Sequence, residues 1–127
     1  MVKFCNKLNL MNTKILLRTI TDPEKLQNDL EANNFKFQLE DENLRVGVSY
    51  SDVEAFEKIV KKYFNAPYNY ANIKFPDMKL NVLVFPNKTF RIDDDESNRE
   101  AKEWAVSIGL PKSESEWTTF YNKNHLS

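Results

Sequence analysis

The hydrophobic pattern begins with a short apolar run at residues 14–20, followed at once by Asp22 and Pro23. The run is too short for a helix before that turn, so it predicts a strand. Asp22 can cap a helix that has Pro23 at its first position, and Leu26 and Leu30 then lie one turn apart on one face. The pattern therefore predicts a strand and then an amphipathic helix, which ends at residues 33–34.

Strict alternation of apolar and polar residues marks the next two segments. Residues 35–39 and 44–50 are apolar at every second position, and an acidic turn at residues 41–43 separates them. Period-two alternation is typical of strands with one buried face and one solvated face. The sequence therefore predicts a hairpin with one wet face.

A helical stripe follows the hairpin. Apolar residues recur at three- and four-residue spacing from Val53 to Phe64, and Ser51 with Glu54 predicts a capping box at the start of this helix. Residues 65–79 contain two prolines and show no clear period. They are predicted to form a long loop, and loops of that length commonly have a function.

The C-terminal part alternates strand and helix signals again. Residues 80–85 predict a strand, residues 86–88 a turn and residues 89–92 a returning strand. Ser97 and Glu100 predict a capping box for a helix over residues 97–108, which Gly109 is expected to end at positive φ before Pro111. A last short helix is predicted to start at Ser113.

This order of elements predicts one α+β domain with a ferredoxin-like β-α-β-β-α-β core over residues 13–85. An extra C-terminal β-hairpin strand and one or two C-terminal helices complete it. The 127 residues, of which 41% are hydrophobic, suffice for a single core. We expect residues 1–12 to be a flexible extension, residues 13–122 the domain and residues 123–127 a flexible tail.

Residues 14–64 resemble a prokaryotic family of small domains described as signal-transducing proteins. The shared features are the short first strand, an acidic-proline turn, a helix that ends in Leu-Glu-Ala, and an acidic turn after the second strand; here they are residues 16–19, 22–24, 30–32 and 41–42. Asn34 departs from the family, which favours glycine there. The resemblance implies the ferredoxin-like fold, with residues 80–85 beside residues 14–20, and it brings no catalytic residues.

Charge and composition exclude several function classes. A net charge of -1 produces no overall field that would attract nucleic acid or an anionic membrane. No apolar run approaches the roughly 20 residues of a membrane helix. Cys5 is the single cysteine, which favours a reducing compartment, the cytoplasm. The asparagine-rich composition favours a bacterial or phage origin.

The residues that catalysis usually requires are sparse. Gly47 and Gly109, the only glycines, cannot form a dinucleotide fingerprint or a P-loop. His125 and Cys5 lie in predicted tails, which argues against a catalytic triad or a zinc site. The acidic residues 93–96 lack the glycine and the spaced glutamate of a calcium loop. The sequence therefore predicts no catalytic residue, no metal site and no cofactor, although no spacing excludes a pair of carboxylates assembled in space.

Candidate binding residues concentrate between residues 65 and 92. Basic and aromatic residues interleave there, as on single-strand nucleic-acid surfaces, but a hairpin core with solvated lysines explains the same pattern, so nucleic acid is not the favoured partner. Residues 15–17 and 82–85 are apolar on both faces of their strands and need cover from the C-terminal helices or from a second copy of the chain. The predicted partner-binding residues are Tyr68, Tyr70, Phe75, Leu83, Phe85, Lys88, Phe90 and Arg91.

The favoured function is a non-enzymatic cytosolic interaction or regulatory module. It would act through contact with a protein partner or through self-association, as an inhibitor encoded on a mobile element does. The alternative is a small-ligand-binding sensor that uses a cleft under residues 65–79.

Overall fold

The computed structural model describes residues 11–121, which form an α+β fold with a six-stranded antiparallel sheet and three α-helices. The strands are β1 (Thr13–Leu16), β2 (Lys36–Glu40), β3 (Asn43–Gly47), β4 (Ala71–Phe75), β5 (Leu80–Val84) and β6 (Thr89–Ile92), and the helices are α1 (Pro23–Ala32), α2 (Val53–Val60) and α3 (Asp95–Ser107). None of these helices is long and apolar enough to cross a membrane. Most of the predicted N-terminal extension and the predicted tail, with Cys5 and His125, lie outside the described residues.

The strands follow the order β2-β3-β1-β4-β5-β6 across the sheet. The prediction of a continuous loop over residues 65–79 is wrong, because β4 lies within it and pairs with both β1 and β5. The prediction that residues 80–85 lie beside β1 is wrong for the same reason, since β4 occupies that place. Pro76 follows β4 directly, where its missing N–H breaks no ladder. Ala71 and Ile73 alternate with polar residues, but the pattern is short and lies between two prolines, so the sequence did not predict this strand.

The first face of the sheet is closed by α1 and α2. Alternation sends Ile15, Leu44 and Val82 to this side, where they meet Leu26 of α1 and Phe56 of α2, all fully buried. The first core confirms the predicted periodicities of β3 and of the first two helices, whereas in β2 the predicted inward residue Leu39 is 51% exposed. The first strand is shorter than predicted, because a 3-10 turn replaces it at Leu17–Thr19.

The second face is covered over β5 and β6 by α3 and the segment that follows it. This second core contains the buried residues Leu83, Phe85, Phe90, Ile92, Ala101, Ala105, Leu110 and Trp117. The apolar residues of β5 are therefore buried on both faces of the sheet, Val82 and Val84 in the first core and Leu83 in the second. The sequence allowed either the C-terminal segments or a second copy of the chain to cover β5. In the structure the C-terminal segments of the same chain do so.

The helix starts agree with the sequence only in part. Asp22 caps α1 as predicted, since its carboxylate accepts the Lys25 N–H at 3.1 Å. Helix α3 begins earlier than predicted, because Asp94 forms the capping box with Ser97 and replaces the expected pair of Ser97 and Glu100. Helix α2 has no side-chain cap, and a 3-10 turn at Tyr50–Asp52 leads into it.

Gly109 ends α3 at a φ of 114°, as predicted. The Leu110 N–H donates to the Ala105 carbonyl at 3.0 Å and the Gly109 N–H to the Val106 carbonyl at 3.1 Å, the two bonds of a Schellman motif. The predicted final helix from Ser113 is wrong. Only a 3-10 turn forms at Lys112–Glu114, because the chain then runs back over the sheet and buries Trp117 in the second core.

Replacing Gly109 with alanine is expected to lower the free energy of unfolding by about 1 kcal/mol or more. A residue with a side chain rarely adopts this φ, and the new Cβ would lie 3.4 Å from Cδ2 of Tyr68. Urea unfolding measures the effect, with Val106→Ala as the control because Val106 is exposed near the same helix end. Equal stability of Gly109→Ala and wild type would contradict the cap.

A tyrosine in the turn after α2 is hydrogen-bonded to helix α1. The Tyr63 hydroxyl donates a hydrogen bond to Oδ2 of Asp29. That bond, followed by burial and the Asp29 charge, raises the pKa of Tyr63 to about 12. A raised pKa in the folded state stabilises the protein below the ordinary tyrosine pKa of about 10, and the contribution is lost as the pH rises through the folded value.

We therefore expect the free energy of unfolding to fall between pH 10 and about 12, and Tyr63→Phe to show a smaller fall over that interval. Urea unfolding at several alkaline pH values measures both slopes. Tyr68→Phe is the control, because no hydrogen bond of its hydroxyl is found within residues 11–121. Identical slopes in Tyr63→Phe and wild type would disprove the contribution.

Candidate functional site

The second face of the sheet carries a cleft beside the second core. Strands β1 and β4 form its floor, which consists of Lys14, Leu16, Asn72 and Lys74. Alternation explains this, because residues 13, 15, 71 and 73 point into the first core and leave their neighbours on the opposite face. Residues 65–70 and 110–118 form the walls, and the cleft, which is open to solvent on one side, has a volume of about 610 Å³.

The floor and rim of the cleft carry three cations, Lys14, Arg18 and Lys74. Lys14 pairs with Asn72 across the β1–β4 ladder, so Lys74 is its diagonal neighbour, about 7–8 Å away by standard sheet geometry. Within residues 11–121 none of the three forms an ion pair. The floor and rim of the cleft therefore carry positive charge that no ion pair within the described residues offsets.

The opposite wall is aromatic and anchored in the second core. The Tyr70 ring lies 5.0 Å from that of Phe85 and 5.8 Å from that of Trp117, centroid to centroid. The Tyr70 hydroxyl donates to the Glu114 carbonyl at 3.3 Å. Burial, and then the negative charge of Glu114, raises the pKa of Tyr70, so this hydroxyl stays protonated near neutral pH. The 110–118 wall is thus fixed to the 65–70 wall.

Asparagine amides line the rest of the cleft. The Asn65 amide donates to the Arg18 carbonyl at 2.9 Å, and the Asn69 amide donates to Oδ1 of Asn65 at 2.8 Å, which ties the loop to the turn after β1. Asn72 differs, because its Oδ1 is shielded from solvent and has no hydrogen-bond partner within the described chain. A buried acceptor without a donor is destabilising.

Two carboxylates stand on the C-terminal wall. Glu116 approaches Lys102 of α3 to 3.7 Å, whereas Glu114 has no ion pair within residues 11–121. Three cations against one unpaired carboxylate leave the cleft positive. No group of three His, Cys, Asp or Glu suited to a metal occurs in the described part of the chain. The lining offers charge, amides and rings, which are suited to binding an anion.

The eight predicted partner-binding residues do not form one surface. Tyr68 and Tyr70 line the cleft, whereas Leu83, Phe85 and Phe90 are buried in the second core. Of the others, Lys88 places its ammonium 5.1 Å from the Phe90 ring centroid, and Phe75 and Arg91 lie on the first face of the sheet. Their role in partner binding stays a prediction.

Arg91, Tyr50 and Phe75 contact one another and form a second, partly exposed feature. We call it the Tyr50 patch and include Met78, which follows Phe75 by three residues. The Arg91 guanidinium donates to the Tyr50 hydroxyl at 2.6 Å and lies 5.1 Å from its ring centroid. The Phe75 ring meets the same tyrosine edge-on at 5.7 Å. Tyr50 is 44% exposed and Met78 48%.

Sequence reasoning missed Lys14, Arg18, Asn72 and Trp117 as members of one site. A signal existed for the two floor residues, because Lys14 and Asn72 are the polar members of short alternating segments. What the sequence does not reveal is that β1 and β4 are neighbours and that residues 110–118 return over the same face. The chain matches no protein-family model, no curated protein and no solved structure.

Proposed function

We propose that this protein is a non-catalytic binding protein and that the cleft over β1 and β4 is its ligand site. The observation that carries the proposal is the set of three unpaired cations on a walled cleft of about 610 Å³. Small-molecule sites commonly enclose about 300–1,000 Å³ and combine apolar walls with a few polar groups. The geometry thus favours the ligand-binding alternative over a site made only of surface contacts.

We also propose that residues 13–75 form a ferredoxin-like unit. Its support is the strand order β2-β3-β1-β4, with α1 and α2 as the two crossovers on the first face. On this assignment β5, β6 and α3 are additions that build the second core and one wall of the cleft. The relation to the signal-transducing family stays a hypothesis. A cytoplasmic ligand sensor is a role that is compatible with both the ligand site and the ferredoxin-like unit.

A thermal-shift screen of anionic and neutral metabolites tests the proposal. We expect at least one anionic compound to raise the Tm of wild type by several degrees, since a ligand at 100 times its Kd stabilises by about 2.7 kcal/mol. Lys14→Ala should lose that shift. The control is Lys36→Ala, an exposed lysine of edge strand β2 on the same sheet face but outside the cleft. No shift with any compound, or an equal shift in Lys14→Ala, would refute the site.

The Tyr50 patch supports a second candidate, contact with a protein partner or with a second copy of the chain. Tyrosine, arginine and methionine are enriched in the centres of protein interfaces. Affinity purification from the host and sedimentation of the pure protein would detect either partner. Tyr50→Ala should remove the association and Lys14→Ala should leave it intact, whereas the reverse result would assign the association to the cleft.

A further inference from the structure

The geometry points to a mononucleotide as the ligand of the cleft, that is, a sugar that carries a phosphate monoester and a flat heteroaromatic base. This inference rests on the proposed function and names its ligand class. A mononucleotide site needs cations for the phosphate and a flat surface for the base. It must also favour one nucleotide over a longer nucleic-acid strand.

The phosphate fits the cationic floor. Lys14 and Lys74 extend from neighbouring strands on the same face, and Arg18 lines the same cleft. A phosphate monoester carries about two negative charges at neutral pH and three strong acceptor oxygens, so it matches two or three cations better than a single carboxylate does. Lysine ammoniums can hold phosphate without the backbone N–H groups of a glycine-rich loop, which this chain lacks.

The ring fits the opposite wall. Tyr68 is 38% exposed at the rim of the cleft, and Tyr70 with Trp117 continues the aromatic surface inward. Stacking of a base on an aromatic side chain contributes about 1–3 kcal/mol. Asn72 lines the same cleft, and a side-chain amide, which both accepts and donates hydrogen bonds, can pair with the polar edge of a base.

A nucleic-acid strand longer than one nucleotide would need further unpaired cations beyond the cleft. Arg45 lies next to Lys14 across the β1–β3 ladder, but its guanidinium is paired with Glu40 at 2.7 Å. The net charge of the chain is -1, so no extended field guides a polyanion to this face. Enclosure by the 65–70 and 110–118 walls also favours a ligand of one nucleotide.

Calorimetric titration of the full chain tests the inference with the four ribonucleoside monophosphates, adenosine, inorganic phosphate, glutamate and an eight-nucleotide RNA. We expect at least one monophosphate to bind, and adenosine and phosphate each to bind at least about tenfold more weakly, because each loses one of the two contacts. Lys14→Ala, Lys74→Ala and Tyr68→Ala should each weaken the monophosphate about tenfold. Lys36→Ala should stay within about twofold.

The other outcomes overturn the inference in distinguishable ways. Equal affinity for phosphate and monophosphates would indicate a phosphate site only, and tighter binding of the RNA with a loss in Lys36→Ala would indicate a strand-binding face. If glutamate or another screened compound binds with dependence on Lys14 while the monophosphates do not, the proposed function stands and this inference is wrong. If no compound binds at the cleft, both are wrong. The unliganded Tm of each variant verifies that it is folded.

Discussion

Phe85→Asp is expected to unfold the protein. The Phe85 side chain is fully buried, and its ring lies 5.0 Å from Tyr70 and 4.9 Å from Trp104, centroid to centroid. The substitution removes these contacts and places a carboxylate where none of the packing rings can pair with it. Loss of a buried phenylalanine alone costs about 3–5 kcal/mol, which is comparable with the total stability of roughly 5–15 kcal/mol for a small domain.

Circular dichroism and urea unfolding measure this loss, and Leu83→Asp should behave in the same way because Leu83 is also fully buried. Phe85→Leu keeps an apolar side chain and should stay folded, with a loss of about 1–2 kcal/mol. Lys88→Asp adds a carboxylate at the exposed turn nearby and should leave the fold intact. A folded Phe85→Asp monomer that has only lost a partner would show that β5 is an interface instead of a core strand.

Trp117→Ala is expected to lower the free energy of unfolding by about 3–5 kcal/mol and to weaken ligand binding in the cleft. Trp117 is buried against Tyr70, its indole N–H donates to Oδ1 of Asn98 at 2.8 Å, and it lines the cleft. The alanine variant loses both the second-core packing and the anchor that holds residues 110–118 over the sheet. Urea unfolding and titration below the Tm of the variant measure the two effects.

Trp117→Phe separates the contribution of the aromatic ring from that of the indole hydrogen bond. This variant keeps an aromatic ring and removes the hydrogen bond to Asn98. Its free energy of unfolding should therefore fall by about 1 kcal/mol, and its affinity for the ligand should stay close to that of wild type. If Trp117→Ala binds ligand as tightly as wild type, the C-terminal wall is not part of the site. If it unfolds at the same urea concentration as wild type, the segment is not part of the second core.

The elements that the sequence predicted well are those whose signals are local. The cap at Asp22, the alternation of the β2–β3 hairpin and the stop at Gly109 each depend on residues within one or two turns of the chain. These interactions form in the same way whatever lies elsewhere in the fold, so their sequence patterns are reliable.

The elements that were missed depend on distant partners. Strand β4 is stabilised by pairing with β1 and β5, and its own residues, which include Ala71 and Asn72, have weak strand propensity. The segment after Pro111 has helical spacing, but burial of Trp117 against a core assembled from β5, β6 and α3 outweighs that local preference. Non-local pairing and burial are not visible in a short sequence window.

The cleft could be predicted only in outline. The sequence suggested a cleft near residues 65–79 and named Tyr68 and Tyr70, which both line it. Lys14 and Lys74 are separated by 60 residues along the chain and meet only because β4 inserts beside β1. Leu83 and Phe85 of the predicted set face the second core, because an apolar strand covered on both faces cannot be distinguished from an exposed interface by sequence alone.

The most direct test of the ligand cleft is a ¹H–¹⁵N chemical-shift titration of the labelled protein with the compound that raises its Tm most. We expect saturable shifts of the backbone amides of Lys14, Asn72, Lys74 and Tyr70, which line the cleft. The amides of Tyr50 and Arg91, which do not line the cleft, should not move. Shifts concentrated at Tyr50 and Arg91, with the cleft amides unchanged, would contradict this expectation.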